Sequence, residues 1–124
     1  IQGNITDLSK MTSLEKLNIS STEIQGSISD ISHLPLTYIN VNYTPVHIQL
    51  ANVPTTCTFL AIAGNKCNDN VSLINNLPGL TYLDAANSKL IGSINSYRIS
   101  IDSNMQYNVN ATSVTGTAEE FFNA

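Results

Sequence analysis

The sequence predicts a β-dominated α/β solenoid, in which short coils of chain stack and place their strands side by side in one parallel sheet. Three observations support this class. A strand-like apolar pattern recurs at a nearly constant spacing, a small polar residue follows each copy at a fixed position, and apolar residues at spacing three separate the copies. One coil cannot bury its apolar face alone, so copies must stack.

The run from residue 80 to residue 94 is the clearest copy of the pattern. Its positions one, four, six and eleven are Leu80, Leu83, Ala85 and Leu90. The alternation at positions four and six predicts a strand with one buried face. The same pattern begins upstream at Leu14, Leu36 and Cys57. The repeat is therefore about 22 residues long, and we number its coils 1 to 4 from these four starts.

Two further sets of residues follow the same register. Position nine should carry a small polar side chain that satisfies the backbone of the bend between coils, and it holds Thr22, Thr44, Asn65 and Ser88. Apolar residues at spacing three then predict short 3₁₀ or helical turns on the convex side. These residues are Ile5, Leu8, Met11, Ile28, Ile31, Leu34, Leu50, Val53, Val71, Ile74 and Leu77.

The segments Ile24-Gln25-Gly26-Ser27-Ile28 and Leu90-Ile91-Gly92-Ser93-Ile94 follow the strand pattern, and residues 1–5 match the same run. With the strands before them, these segments resemble the plant-type leucine-rich repeat. The third coil lacks the glycine. The resemblance implies a right-handed leucine-rich-repeat solenoid with a parallel sheet on its concave face and short 3₁₀ or helical segments on its convex face.

The repeat also predicts the domain organisation. Residues 1–107 form a leucine-rich-repeat solenoid of about four to five coils. The first of them, which precedes coil 1, is incomplete. Ile99 and Ile101 fit positions four and six of a compressed fifth coil, in which Arg98 holds position three. Residues 108–124 lose the pattern and are either a C-terminal cap or a tail.

Composition and motifs argue against several classes of function. The net charge is −4 without a basic cluster, so we expect no nucleic-acid partner. No apolar run reaches the roughly 20 residues of a membrane span, so we expect no membrane insertion. His33 and His47 have no Cys or carboxylate at a metal-ligand spacing, and no catalytic motif is present. The sequence therefore predicts no enzyme, no metal and no cofactor.

Cys57 and Cys67 are the only two cysteines. In a secreted chain a pair of cysteines usually forms a disulfide, which is the expectation here. However, positions one and eleven lie at opposite ends of a strand, and a disulfide needs Cα atoms within about 7 Å. The alternative is that both are buried as small apolar residues.

Sequons for N-linked glycosylation occur at Asn4, Asn18, Asn42, Asn70 and Asn110. Only 11% of the residues are charged, against about 25% in ordinary domains. Together these features favour an extracellular or cell-surface glycoprotein with N-linked glycans.

The concave face is the candidate binding site. Position three places Tyr38, Phe59 and Tyr82 in one column at about 4.8 Å per coil. The neighbouring positions five and seven of coils 3 and 4 hold Ala61, Ala63, Asp84 and Ala86. These residues predict a shallow apolar binding patch. The alternative is that the ring column only stiffens the sheet.

Two functions of different classes follow. The first is a non-catalytic module for protein–protein recognition through the concave face. The second is a structural subunit whose copies join head to tail through open solenoid ends into a glycosylated filament or surface layer. A fragment of a longer receptor explains an open end equally well. The expected partner is thus another protein or copies of the chain itself.

Overall fold

The computed structural model describes residues 2–93, 106–108 and 112–115. In these residues the chain forms nine strands of three residues each and four 3₁₀ turns. The strands are β1 (Gln2–Asn4), β2 (Lys16–Asn18), β3 (Glu23–Gln25), β4 (Tyr38–Asn40), β5 (Phe59–Ala61), β6 (Tyr82–Asp84), β7 (Ile91–Ser93), β8 (Gln106–Asn108) and β9 (Ser113–Thr115). The 3₁₀ turns are Ile5–Leu8, Ile28–Ile31, Leu50–Asn52 and Val71–Asn76.

Five strands form one parallel sheet, the main sheet, in the order β2-β4-β5-β6-β8. Equivalent residues of successive coils lie opposite each other, so the position-four residues Leu17, Ile39, Leu60 and Leu83 are in register. All four are buried. The predicted strands of coils 1 to 4 are therefore confirmed, and their inner side chains build one continuous core.

The four 3₁₀ turns lie where apolar spacing three predicts them. Asn4, Ser27 and Asn70 stand before three of these turns and accept a hydrogen bond from the backbone N–H two residues on. These side chains satisfy donors that the first turn would otherwise leave unpaired. Met11, predicted to face the core with these turns, instead has half of its surface exposed.

The position-nine residues turn inward as predicted. Thr44, Asn65 and Ser88 are buried, and Thr22 is half-buried. The Thr44 hydroxyl donates to the Val41 carbonyl at 2.8 Å, while Asn65 Nδ2 donates to the Val46 carbonyl of the preceding coil at 2.7 Å. Backbone groups at the bend thus find partners inside the solenoid.

A second set of strand pairs, which we call the side ladder, runs along the segments with the glycine motif. Strand β1 pairs with β3, β7 pairs with β9, and isolated bridges join Ser27 to His47 and Asn70 to Ile91. The sequence analysis assigned no strands there. Gly26 and Gly92 have φ angles of +118° and +100°, and a Cβ at either would lie within 3 Å of an Asn side chain.

The end of the solenoid differs from the prediction. Strand β8 fills the fifth place in the main sheet, with Tyr107 opposite Leu83, and β9 continues the side ladder to Thr115. Parallel pairing in the described residues thus extends to Thr115, while the division into a solenoid of residues 1–107 and a cap or tail of residues 108–124 stays a prediction. The prediction relied on the apolar pair at Ile99 and Ile101, which matched positions four and six; these two residues and Arg98 lie outside the described residues.

The two cysteines do not form the expected disulfide. Both are free and buried, and each Sγ has its own hydrogen-bond partner: the Phe59 carbonyl for Cys57 and the Asp69 carboxylate for Cys67. Positions one and eleven of the repeat place the two thiols in separate columns of the core. In the structure both cysteines are instead buried as small apolar residues, which was the alternative to the disulfide.

Candidate recognition surface

The three rings at position three form a stack on the outer face of the main sheet. The ring centroids of Tyr38 and Phe59 are 4.2 Å apart with planes inclined by 8°, and those of Phe59 and Tyr82 are 4.4 Å apart with an inclination of 1°. These separations follow from the strand spacing of about 4.8 Å, because the rings stand on directly paired residues. The predicted column is therefore brought together.

Stacking decides what the column can present to a partner. Phe59 has both ring faces covered by its neighbours, so the three half-buried side chains offer mainly ring edges and the two tyrosine hydroxyls. Burial is the first cause that raises the pKa of Tyr82, followed by the charges of Asp84 and Tyr38. The Tyr82 hydroxyl therefore remains a neutral hydrogen-bond donor at physiological pH.

The small residues beside the stack are less accessible than the sequence analysis expected. Ala61 is 1% exposed and Ala63 is 3% exposed, so neither offers a contact surface. Ala61 lies between Asn40 and Asp84 of the neighbouring coils, whose longer side chains flank it. Of the predicted patch residues beside the rings, only Asp84 and Ala86 remain partly exposed.

Polar side chains on this face are held by the backbone. Asn40 accepts a hydrogen bond from the Asn42 N–H, and Asp84 accepts one from the Ala86 N–H at 3.3 Å. Asn42 Oδ1 reaches across to the next coil and accepts the Ala63 N–H at 2.6 Å. The polar side chains on this side of the stack are therefore held in place by backbone hydrogen bonds.

A column of threonines on the other side of the rings was missed by the sequence analysis. Thr37, Thr58 and Thr81 at position two each donate their hydroxyl to a carbonyl of the preceding coil, at 3.0 to 3.2 Å. Thr58 and Thr81 are exposed, so their methyl groups and hydroxyl lone pairs face the solvent. The identical residue type at one position of three coils was the available signal.

Tyr43, at position eight, is the second feature that was missed. Its side chain is 57% exposed, and its φ of 57° lies in the left-handed region, which is unfavourable by roughly 1–2 kcal/mol for a residue with a Cβ. Its Cδ1–Cε1 edge occupies the space that a Cβ on Gly64 would need. Gly64 thus lets the Tyr43 ring lean onto coil 3.

The sequons differ in their surroundings. Asn4, Asn18 and Asn70 are exposed, whereas Asn42 is half-buried and its partner Thr44 is buried. Asn18 and Asn42 lie on the outer face of the main sheet, and Asn4 and Asn70 lie before 3₁₀ turns. Asn110 lies outside the described residues.

The histidines and acidic residues of the described part of the chain are spread apart. His33 and His47 are exposed, and His33 Nε2 lies 2.8 Å from the Ser9 carbonyl oxygen. No group of three or more His, Cys, Asp or Glu residues lies close enough there to hold a metal ion. Within the same residues, no helix has the length and apolar character that a membrane span requires.

The fold is similar to that of a known leucine-rich-repeat protein. A crystal structure of an internalin (inlF) from Listeria monocytogenes superimposes with a TM-score of 0.71 at 22% sequence identity. The match covers 96% of this chain and 36% of the internalin chain, so this chain spans about a third of that protein's length. No protein-family model matches the sequence, and no curated protein matches it.

The similarity and the stacked parallel strands confirm the predicted β-dominated leucine-rich-repeat solenoid. At this level of identity the comparison shows the fold alone. The plant-type subclass and the right-handed winding remain predictions, and the function must be argued from the surface of the chain itself.

Proposed function

We propose that this chain is a non-catalytic module that recognises a protein partner through the outer face of its main sheet. The observation that supports the proposal most strongly is the stack of Tyr38, Phe59 and Tyr82. Aromatic side chains are enriched among the residues that dominate binding energy at protein interfaces. Because stacking already fixes these rings, a partner would immobilise them at a small further loss of rotamer entropy.

The surroundings of the stack favour a protein partner over a small molecule. The surface beside the rings is an open face with threonines on one side and the Asn40 and Asp84 side chains on the other. Small ligands usually need a concave pocket that covers most of their surface. A partner protein can instead cover the ring edges and hydrogen-bond to the tyrosine hydroxyls.

Selection from a displayed peptide library tests this proposal. Peptides selected on the wild-type chain are measured against Phe59→Ser and Tyr82→Ser, and against the matched control Met11→Ser, whose exposed side chain lies away from the main sheet. We expect the two ring variants to weaken most selected peptides about tenfold to thirtyfold. The control should leave affinity unchanged.

Thermal unfolding of each variant accompanies the binding measurement, because the rings also support the sheet. If Phe59→Ser unfolds, Phe59→Leu keeps apolar volume without the stacked ring. Selected peptides that bind both ring variants at wild-type strength, while the variants remain folded, would contradict the proposal and leave the column with a purely structural role.

We also propose that the module acts outside the cell or at the cell surface as an N-linked glycoprotein. The exposed sequons at Asn4, Asn18 and Asn70 support this proposal. Intact mass before and after enzymatic removal of N-glycans, on protein from its natural source, tests it. A mass equal to that of the bare polypeptide would count against this location.

Self-assembly is the second candidate, and the surface of coil 1 favours it. Leu14, Ile19 and Ile24 are only half-buried, whereas the equivalent residues of coil 2 are buried. Beside them lies an apolar depression of about 260 Å³, lined in part by Leu8 and Leu17. This surface accepts a further coil, which in this candidate belongs to a second copy. A strictly monomeric particle in light scattering of natural material contradicts it.

A further inference from the structure

The edge that follows the main sheet presents two columns of exposed residues around the buried position-nine column. We call this edge the rim. It consists of Tyr43, Gly64 and Asn87 at position eight and Pro45, Lys66 and Lys89 at position ten, of which only Gly64 is half-buried. The Gly64 N–H donates to the Ala86 carbonyl at 2.8 Å and the Lys89 N–H donates to the Cys67 carbonyl at 2.9 Å. Coils 3 and 4 are thus directly adjacent at the rim.

One end of the rim is basic. Lys66 and Lys89 are exposed on adjacent coils, and the whole chain has only five Lys and Arg residues against nine Asp and Glu. Neither lysine side chain forms a hydrogen bond or ion pair with a residue in the described ranges. Their like charges on adjacent coils repel each other. An anionic group placed between the two lysines would remove this repulsion.

The carboxylates of the same coils are already engaged elsewhere. Asp69 accepts the Leu50 N–H at 2.7 Å, and Asp84 accepts the Ala86 N–H. Neither carboxylate forms an ion pair with Lys66 or Lys89. The basic end of the rim stands out on a chain whose net charge is −4.

The other end of the rim is apolar. Tyr43 and Pro45 are exposed on coil 2, and Pro45, His47, Gly64 and Lys66 line part of a groove of about 170 Å³ between coils 2 and 3. Along the solenoid the rim therefore changes from apolar on coil 2 to basic on coils 3 and 4, which gives it a direction.

We propose that the rim binds an extended acidic segment of a protein partner. Glutamate or aspartate side chains of the segment lie against Lys66 and Lys89, and its apolar or proline residues lie against Tyr43 and Pro45. This inference rests on the proposed function. The aromatic stack does not indicate the charge of the protein partner, whereas the lysines of the rim indicate that it is acidic. Charge complementarity of this kind sets orientation and association rate.

Two synthetic peptides that differ only in charge test the inference. One peptide carries proline and tyrosine at one end and glutamates at the other, and a matched peptide has glutamine at every glutamate. Fluorescence anisotropy with the wild-type chain should show the glutamate peptide binding about fivefold to tenfold more tightly at low salt. The difference should shrink as the salt concentration rises.

The double variant Lys66→Gln, Lys89→Gln should bind both peptides equally. The control double variant Lys10→Gln, Lys16→Gln changes the net charge by the same amount on exposed residues outside the rim, and it should keep the discrimination. Phe59→Ser should also keep the discrimination between the two peptides. This variant therefore distinguishes failure of the rim proposal from failure of the proposed recognition through the aromatic stack.

Three results would overturn the inference. They are equal binding of the two peptides by the wild-type chain, equal loss of discrimination in both double variants, and displacement of the peptide by a sulfated oligosaccharide at lower concentration than by the free glutamate peptide. The second result means that only net charge matters, and the third means that the rim is a general polyanion site.

Discussion

The main sheet and the side ladder repeat with the same period, yet only the main sheet runs without interruption through the described coils. In the side ladder, position fourteen of one coil pairs with position twelve of the next at four junctions: Asn4 with Gln25, Ser27 with His47, Asn70 with Ile91 and Ser93 with Thr115. No such pair joins coils 2 and 3 within residues 49–70. The two ladders therefore depend on different sequence features.

At the junction between coils 2 and 3, one backbone N–H group has a different acceptor from its equivalent at the junction before it. In coil 1 the Ile28 N–H donates to the His47 carbonyl of the next coil at 3.0 Å. In coil 2 the equivalent Leu50 N–H donates to the Asp69 carboxylate at 2.7 Å. Asp69 occupies the position that Gly26 and Gly92 hold elsewhere. A side chain here replaces the backbone pairing. Ile48 holds the same position in coil 2 and the pair of Ser27 with His47 still forms, so the loss belongs to Asp69 and not to the lack of a glycine.

Replacing a core residue of the main sheet should have the largest effect. Leu60 is fully buried at the centre of this sheet, so Leu60→Ala should lower the free energy of unfolding by about 2–5 kcal/mol. Ile24 of the side ladder is only half-buried, and Ile24→Ala should cost clearly less. Urea denaturation followed by circular dichroism measures both. Equal losses would show that the two ladders contribute alike.

The glycines of the side ladder predict the next effect. Gly92 has a positive φ, and a Cβ there would clash with the Asn70 side chain, so Gly92→Ala should destabilise the fold by about 1–3 kcal/mol. A Cβ added to Gly3 would have no atom within 4 Å. Gly3→Ala is therefore the matched control, and its free energy of unfolding should change little. Similar melting temperatures of the two variants would contradict this account.

Much of the main sheet could be predicted because its signal repeats in every coil. Leu17, Ile39, Leu60 and Leu83 mark the strands by simple alternation, and Asn65 and Ser88 mark the bends. The side ladder has no such alternation, since short segments are held there by backbone pairing, with a glycine at Gly26 and Gly92 but isoleucine at Ile48. The fifth strand was misplaced because Ile99 and Ile101 match the apolar pattern better than the residues of β8 do.

The candidate site was predictable only in part for a related reason. Position in the repeat places Tyr38, Phe59 and Tyr82 in one column, so the stack follows from register alone. The exposure of a residue on this face depends on the side chains of the neighbouring coils. The burial of Ala61 could therefore not be predicted from the sequence of its own coil. Tyr43 was missed because its left-handed conformation is a property of the bend, which only Gly64 and Asn87 indicate by their residue type at the same position.

The two cysteines allow the same comparison within the core. Cys57 is buried just before a strand of the main sheet, and Cys67 is buried beside the side ladder. Desolvation by burial raises the pKa of Cys57 to about 12 and that of Cys67 to about 11, although backbone hydrogen bonds oppose the shift. Only the thiolate reacts with alkylating reagents. At pH 8 we therefore expect no alkylation of the folded chain and two modified residues after denaturation, as read by intact mass.

The same shifts predict the pH dependence of stability. The unfolded thiol pKa is about 8.5, so above that pH the unfolded chain loses protons that the folded chain keeps. The free energy of unfolding should be constant near pH 8 and then fall by about 1.4 kcal/mol per pH unit for each thiol, up to about pH 11 for Cys67 and pH 12 for Cys57. A Cys57→Ala, Cys67→Ala variant should lack this part of the decline. An identical decline in that variant would assign it to other groups.

The smallest effect is expected where Asp69 replaces the missing ladder pair. Asp69→Asn keeps an oxygen that can accept the Leu50 N–H but removes the charge that strengthens the bond, so the loss should be about 0.5–1 kcal/mol. Asp69→Ala removes the acceptor altogether and should cost more, because the Leu50 N–H loses its partner beside a buried side chain. Amide hydrogen exchange at Leu50 separates this local effect from a general loss of stability. If exchange at Leu50 stays as slow in Asp69→Ala as in the wild type, another acceptor holds this N–H and the carboxylate does not substitute for the ladder.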